Sequence, residues 1–111
     1  MASYANLYVD QGSDYSTYVF VEDSNGDALD LSSITVTGQV RRTYQSETAY
    51  DFTVTKTDTI NGQINLALDA QTTGSMFRGR YVYDVYAEDT IGDTHFKILE
   101  GILEVIPRVT R

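Results

Sequence analysis

Gly79-Arg80-Tyr81-Val82-Tyr83-Asp84-Val85-Tyr86-Ala87-Glu88 is the stretch whose reading decides the fold. It alternates with a period of two. Tyr81, Tyr83, Val85 and Ala87 fall on one face, and Val82, Asp84, Tyr86 and Glu88 on the other. A helix needs a period of 3.6, so this is a strand with one face in a core.

The entry to this strand, Gly79-x-Tyr81-x-Tyr83, matches strand F of an immunoglobulin-type sandwich. There a tyrosine two residues before an inward position bonds back to upstream backbone through its hydroxyl. Tyr81 is therefore expected to be the corner tyrosine, with Tyr83 in the place that a cysteine takes in antibodies. The acceptor is expected in Asp69–Arg78, where Asp69 caps a single helical turn ending near Gly74. Met76 and Phe77 are expected to plug the end of the sandwich.

On the C-terminal side, Asp89–Asp93 reads as a hairpin turn, and Thr94–Ile106 as a long last strand. Phe96 and Ile98 are even-numbered and Leu103 and Val105 odd-numbered, which predicts a bulge near Glu100-Gly101. Pro107 ends the pairing, and a short basic tail follows.

Upstream, Tyr15–Glu22 is a strand with large apolar groups on both faces. Either it is central, or Tyr18 and Phe20 lie under a neighbouring chain. Asp23-Ser24-Asn25-Gly26-Asp27 has turn chemistry. Its glycine is fourth, not sixth as an EF-hand loop requires, so no calcium site is expected. Leu29 and Leu31 are expected to tuck inward, with Asp30 capping backbone between them. Ile34–Thr43 is a strand that places Gly38 inward, against a ring from another strand. Tyr44–Tyr50 reads as a loop, Phe52 and Val54 point inward, and Asn61-Gly62 signals a hairpin leading to inward Ile64, Leu66 and Leu68. Residues 3–10 fit a weak first edge strand. Their poor alternation also fits an assembly arm, so the division is 1–14, arm or edge strand, and 15–111, sandwich. The whole is an all-β chain: a single immunoglobulin-like β-sandwich of seven to eight antiparallel strands.

Composition narrows the function. The 111 residues suit one domain. With no cysteine there is no disulfide, thiolate metal site or cysteine nucleophile. Net charge is −8, and the first 40 residues carry Asp10, Asp14, Glu22, Asp23, Asp27 and Asp30 with no lysine or arginine. This argues against nucleic acid and anionic membranes as partners. No apolar run is long enough to span a bilayer, and the N-terminus does not read as a signal peptide. His95 is the single histidine and sits in a strand, so neither a two-histidine zinc site nor a serine triad with a Gly-x-Ser-x-Gly elbow is expected. Arg41-Arg42 and Asp84 read as members of ordinary ion pairs, Asp84 with an arginine on a neighbouring strand. Catalytic residues, metal ligands and cofactors are accordingly expected to be none. Nine tyrosines without a tryptophan suit half-buried strand faces and protein interfaces alike. The candidate contact face is Tyr18 and Phe20, joined by Tyr86.

One further pattern spans Tyr15–Arg111. A Tyr/Val-rich strand is followed by Asp-Ser-Asn-Gly, Leu-Asp-Leu-Ser and Ile-Thr-Val. Later come Asn-Gly-Gln-Ile-Asn-Leu-Ala-Leu, Gly-Arg-Tyr-Val-Tyr-Asp-Val and Gly-Ile-Leu-Glu-Val-Ile-Pro-Arg-Val-Thr. This resembles the small immunoglobulin-like domains of tailed-phage structural proteins, and in particular the N-terminal domain of baseplate upper proteins. The resemblance implies a non-enzymatic virion component in baseplate, neck, fibre base or capsid surface, assembled in the host cytoplasm. Its partners would be other virion proteins or itself. In the baseplate upper proteins further segments follow this domain, whereas this sequence ends four residues after Pro107. The expectation is therefore a free-standing virion component. The rival expectation is a carbohydrate- or receptor-binding module whose site lies between Tyr44–Tyr50 and Asp89–Asp93.

Overall fold

In the computed structural model, residues 3–23 and 25–110 are described. Ser24 of the expected turn, Arg111 of the basic tail, and Met1 and Ala2 lie outside them. The elements are β1 Ser3–Tyr4, β2 Leu7–Asp10, β3 Tyr15–Phe20, β4 Ile34–Arg41, β5 Ala49–Asp51, β6 Thr53–Asp58, β7 Gln63–Leu68, α1 Ala70–Ser75, β8 Gly79–Asp89 and β9 Thr94–Ile106.

Two sheets face each other. The larger runs β1-β9-β8-β4-β5, with β2 also pairing with β9, and the smaller runs β3-β7-β6. Set beside an immunoglobulin sandwich, β3, β7 and β6 take the places of strands B, E and D, and β4, β8 and β9 those of C, F and G. Between the sheets lie residues that alternation assigns inward, among them Val36, Val40, Ile64, Leu66, Leu68, Tyr81, Tyr83, Val85 and Leu103, all buried. Each fully buried aliphatic side chain contributes roughly 1.5–3 kcal/mol.

Two glycines let backbone and rings approach closely. A Cβ on Gly38 would lie 2.9 Å from the Phe52 ring, which is the inward ring contact that the sequence predicts. A Cβ on Gly101 would lie 1.9 Å from the Ala5 carbonyl oxygen. The chain leaves the larger sheet after β5 and enters the smaller at β6. Phe52 is the pivot, buried and held by its N–H to the Gly38 carbonyl at 2.9 Å.

Several expectations are corrected, while residues 3–10 take the edge-strand alternative: Ser3–Tyr4 and Leu7–Asp10 form the margin of the larger sheet. This margin is parallel to β9 rather than antiparallel, with Leu7 opposite Leu103 and Val9 opposite Val105. Val9 is fully buried, and the apolar contact it gains is what docks the strand. The bulge lies at Ile98, since Leu99 pairs with Val85 and Lys97 with Tyr86. Gly101 instead makes room for Ala5. Ala49 and Tyr50, read as the end of a loop, belong with Asp51 to a short edge strand on β4. Met76 is fully buried, but Phe77 is 72% exposed, because the corner turns its carbonyl inward and its ring out.

Candidate functional surfaces

The corner forms one end of the molecule. Asp69 accepts a hydrogen bond from the Thr72 N–H at 2.7 Å and starts α1. Buried Thr73 donates its hydroxyl to the Ser13 carbonyl, and Gln11 donates to the Met76 carbonyl, so α1 is tied to the β2–β3 loop. The Tyr81 hydroxyl donates to the Phe77 carbonyl at 2.7 Å. Arg42 lies over the Tyr81 ring, 4.9 Å from its centroid, and donates to the Arg78 carbonyl. Arg41 bonds the Ser46 carbonyl and the Gln39 side chain. Arg41 thus meets backbone and a side-chain amide, and Arg42 backbone and a ring, rather than the acids expected from sequence. Arg42, Ser46, Glu47, Thr48, Tyr50, Phe77 and Tyr81 line an open cleft of about 600 Å³ here. Tyr50 meets Tyr81 edge-on at 6.2 Å. Burial, then the nearby Tyr50, pushes the Tyr81 hydroxyl above its ordinary pKa against the pull of Arg42.

The opposite end carries acids that build turns. Asp23 accepts from the N–H groups of Asn25 and Asp27. Asp30 accepts from the N–H and hydroxyl of Ser32. Asp58 holds Asn61, and Asp89 holds Ile91 and Gly92. The carboxyls of Asp30, Asp69 and Asp89 are held below their usual range by these hydrogen bonds. Asp30 and Asp69 are exposed and Asp89 is half-buried, and each is bonded within its own turn or to an adjacent loop. His95 stands outside the core, 3.8 Å from Asp93 and stacked on Tyr86.

This arrangement separates the two loops of the expected carbohydrate site. Ile34 pairs with Asp89 and Arg41 with Val82, so the loop before Ala49 and the loop after Asp89 lie at opposite ends of β4 and β8. They cannot line one concavity. The 42–48 loop meets the corner instead.

The expected contact face divides in the same way. Tyr18 and Phe20, 61% and 66% exposed, point outward from the smaller sheet. Tyr86, 43% exposed, points outward from the larger. The two sheets turn their outer faces in opposite directions, so Tyr86 does not join the other two. Periodicity gives the inward and outward faces of each strand but not which sheet the strand belongs to.

Tyr86 has different companions. The outer face of the larger sheet carries exposed Tyr4 and Tyr8 opposite Glu100 and Glu104, and Val82 opposite Ile102. Tyr4 and Tyr8 were missed by sequence reading because β1 and β2 are too short to alternate visibly. Asp84 sits on this face between Gln39 and Glu100. Among the described residues it makes no ion pair. Glu100 instead meets Lys97 at 3.4 Å, and Arg80 meets Glu104 at 3.8 Å.

Behind this face, Tyr83 is buried and donates its hydroxyl to the Ala5 carbonyl at 2.7 Å. Burial, then Tyr15 and Tyr4, pushes its pKa up to about 12.

No family model matches the chain, and no curated protein matches it. Solved structures similar to it include InlP of Listeria monocytogenes, at 12% identity and a TM-score of 0.43, covering 96% of this chain and 28% of that one. Another is a family 123 glycoside hydrolase from Clostridium perfringens, at 11% identity and a TM-score of 0.46, covering 97% of this chain and 23% of that one. The chain thus spans about a quarter of the length of each.

Proposed function

We propose that this chain is a non-enzymatic structural module that works by protein–protein assembly, as a component of a tailed-phage virion. The observation that carries the assembly reading is where its rings stand. Tyr4, Tyr8, Tyr18, Phe20, Tyr44, Phe77 and Tyr86 are all exposed, more than half of the aromatic side chains. They are concentrated on strand faces and at the corner. Exposed apolar residues scattered singly are ordinary, but rings grouped along strands mark interaction surfaces. The virion setting rests on the sequence resemblance to baseplate upper proteins, and the particle's own parts would be the partners. The shifted carboxyls support a non-enzymatic role, since each is accounted for by a turn that it caps rather than by a shared pocket.

Mass spectrometry of gradient-purified particles from the cell that makes the chain tests this reading. The chain should be present in amounts comparable to the major particle proteins. Its absence from particles would end the virion reading.

A second reading is favoured by the cleft at the corner. Its volume is in the range of ligand sites, and it joins the exposed Phe77 ring to Arg42 and Glu47. A sugar stacked on Phe77 would suit a carbohydrate-binding module. Glycan-array binding that disappears in Phe77→Ala supports that reading, and an array without signal removes it.

A further inference from the structure

The smaller sheet ends at β3, and among the described residues nothing pairs with its outer edge. Which backbone groups face that edge follows from the ladder. The Val21 N–H donates to the Gly62 carbonyl at 2.8 Å, and Val19, Thr17 and Tyr15 continue the same register against Ile64, Leu66 and Leu68. In an antiparallel pair, hydrogen-bonded residues alternate with residues whose N–H and C=O point away. Ser16, Tyr18 and Phe20 are therefore the residues whose backbone groups face outward from the sheet edge.

This edge lacks the usual protection. Natural edge strands carry lysine, proline or a bulge that blocks further pairing. Tyr-Ser-Thr-Tyr-Val-Phe has none of these and no charge, in a chain whose net charge is −8. The larger sheet, by contrast, continues past β9 to β1 and β2. A groove of about 370 Å³ opens at the C-terminal end of β3, lined by Val19 and Phe20 of β3, by Val21 just beyond it, and by Phe96, Lys97, Ile98 and Leu99 of β9. Glu22 and Asp23 stand at its end.

We propose that β3 is the receiving edge for one extended strand donated by a partner protein. The donor's alternate small apolar side chains enter the groove, and a lysine or arginine passes Glu22 and Asp23. A second copy of this chain is the poorer occupant. Its own β3 offers no lysine or arginine to meet Glu22 and Asp23, and two copies of net charge −8 repel each other. Strand addition of this kind takes affinity from main-chain hydrogen bonds and selectivity from alternate side-chain pockets. The proposal rests on the assembly reading and names one of its surfaces.

The test uses the full chain, isotope-labelled, and a synthetic peptide, Lys-Val-Thr-Val-Thr-Val-Thr, followed by amide hydrogen exchange. The N–H groups of Ser16, Tyr18 and Phe20 should slow on adding peptide, while those of Thr17 and Val19, already bonded to β7, should not change. Tyr18→Pro removes one edge donor without touching the β7 ladder and should weaken binding about tenfold or more. Tyr18→Ala, which keeps the N–H, should bind within a few-fold of the parent chain. Should Tyr18→Pro unfold, Ser16→Pro makes the same comparison at the strand's start. Absence of protection at millimolar peptide would overturn the proposal, as would equal binding by the proline and alanine variants. Concentration-dependent protection of the same three amides without peptide would also overturn it, in favour of self-pairing. None of these outcomes alters the particle-composition test, so failure here and failure of the assembly reading are distinguishable.

Discussion

Replacing Gly101 by alanine should unseat the N-terminal margin of the larger sheet. An alanine Cβ would sit 1.9 Å from the Ala5 carbonyl oxygen and 2.9 Å from its carbon. Both are backbone atoms, so no side-chain rotation relieves the clash and the Ala5 segment must move. Two hydrogen bonds go with it: Ala5 N–H to the Glu100 carbonyl at 3.0 Å, and the Tyr83 hydroxyl to the Ala5 carbonyl at 2.7 Å. Each contributes about 0.5–1.5 kcal/mol net, and a hydroxyl left buried without a partner costs about 1–3 kcal/mol. Tyr83 is only 3% exposed, so the second figure applies. The sum is roughly 1.5–4.5 kcal/mol, a large share of the ~5–15 kcal/mol that holds a domain of this kind together. Urea denaturation should show the midpoint falling by about 1–2 M at a slope of about 2 kcal/mol per molar. Amide exchange at Leu7–Asp10 should quicken more than exchange in β7. An unchanged midpoint with unchanged exchange would refute the claim that residues 3–10 are an integral strand.

Three other outcomes follow from the same packing. Tyr81→Phe removes only the corner hydroxyl and should lower stability by about 0.5–1.5 kcal/mol in denaturant titration; no change would mean that the bond to Phe77 contributes nothing. Gly38→Ala pushes a methyl to 2.9 Å from the Phe52 ring and 3.4 Å from the Asp84 carbonyl, and overpacking there should cost about 1–3 kcal/mol by the same titration. In alkaline spectrophotometric titration Tyr83 should ionise near 12, with Tyr15 and Tyr81 also late. The folded pKa lies above the unfolded one, so this stability is intact below pH 10 and falls as pH rises from about 10 to about 12. A native chain in which Tyr83 ionises near the ordinary tyrosine value of about 10 would contradict its burial.

What the sequence made legible was local. The alternation of Gly79–Glu88 identifies a half-buried strand, Gly79-x-Tyr81 marks the corner, and Gly38 announces a ring that proves to be Phe52. Asp69 and the Asp-rich turns follow from side chains that bond backbone two or three residues away. What stayed hidden depends on which elements become neighbours. Ile98 and Leu99 are both apolar, so the pattern places a bulge in β9 but not at a given residue. Arg42 finds a ring and a carbonyl because β4 ends beside the corner, a fact that charge counting does not contain. Tyr18 and Tyr86 look alike in sequence, yet β3 and β8 belong to different sheets, and that separates the two rings.

The central claim is that the chain acts by burying its outward rings against other proteins. Hydroxyl-radical footprinting of the isolated chain and of the chain within purified particles tests this most directly. Strong protection in the particle is expected of at least one ring set: Tyr18 and Phe20 along β3, or Tyr4, Tyr8 and Tyr86 on the outer face of the larger sheet. Equal reactivity of all five rings in the two states would contradict it.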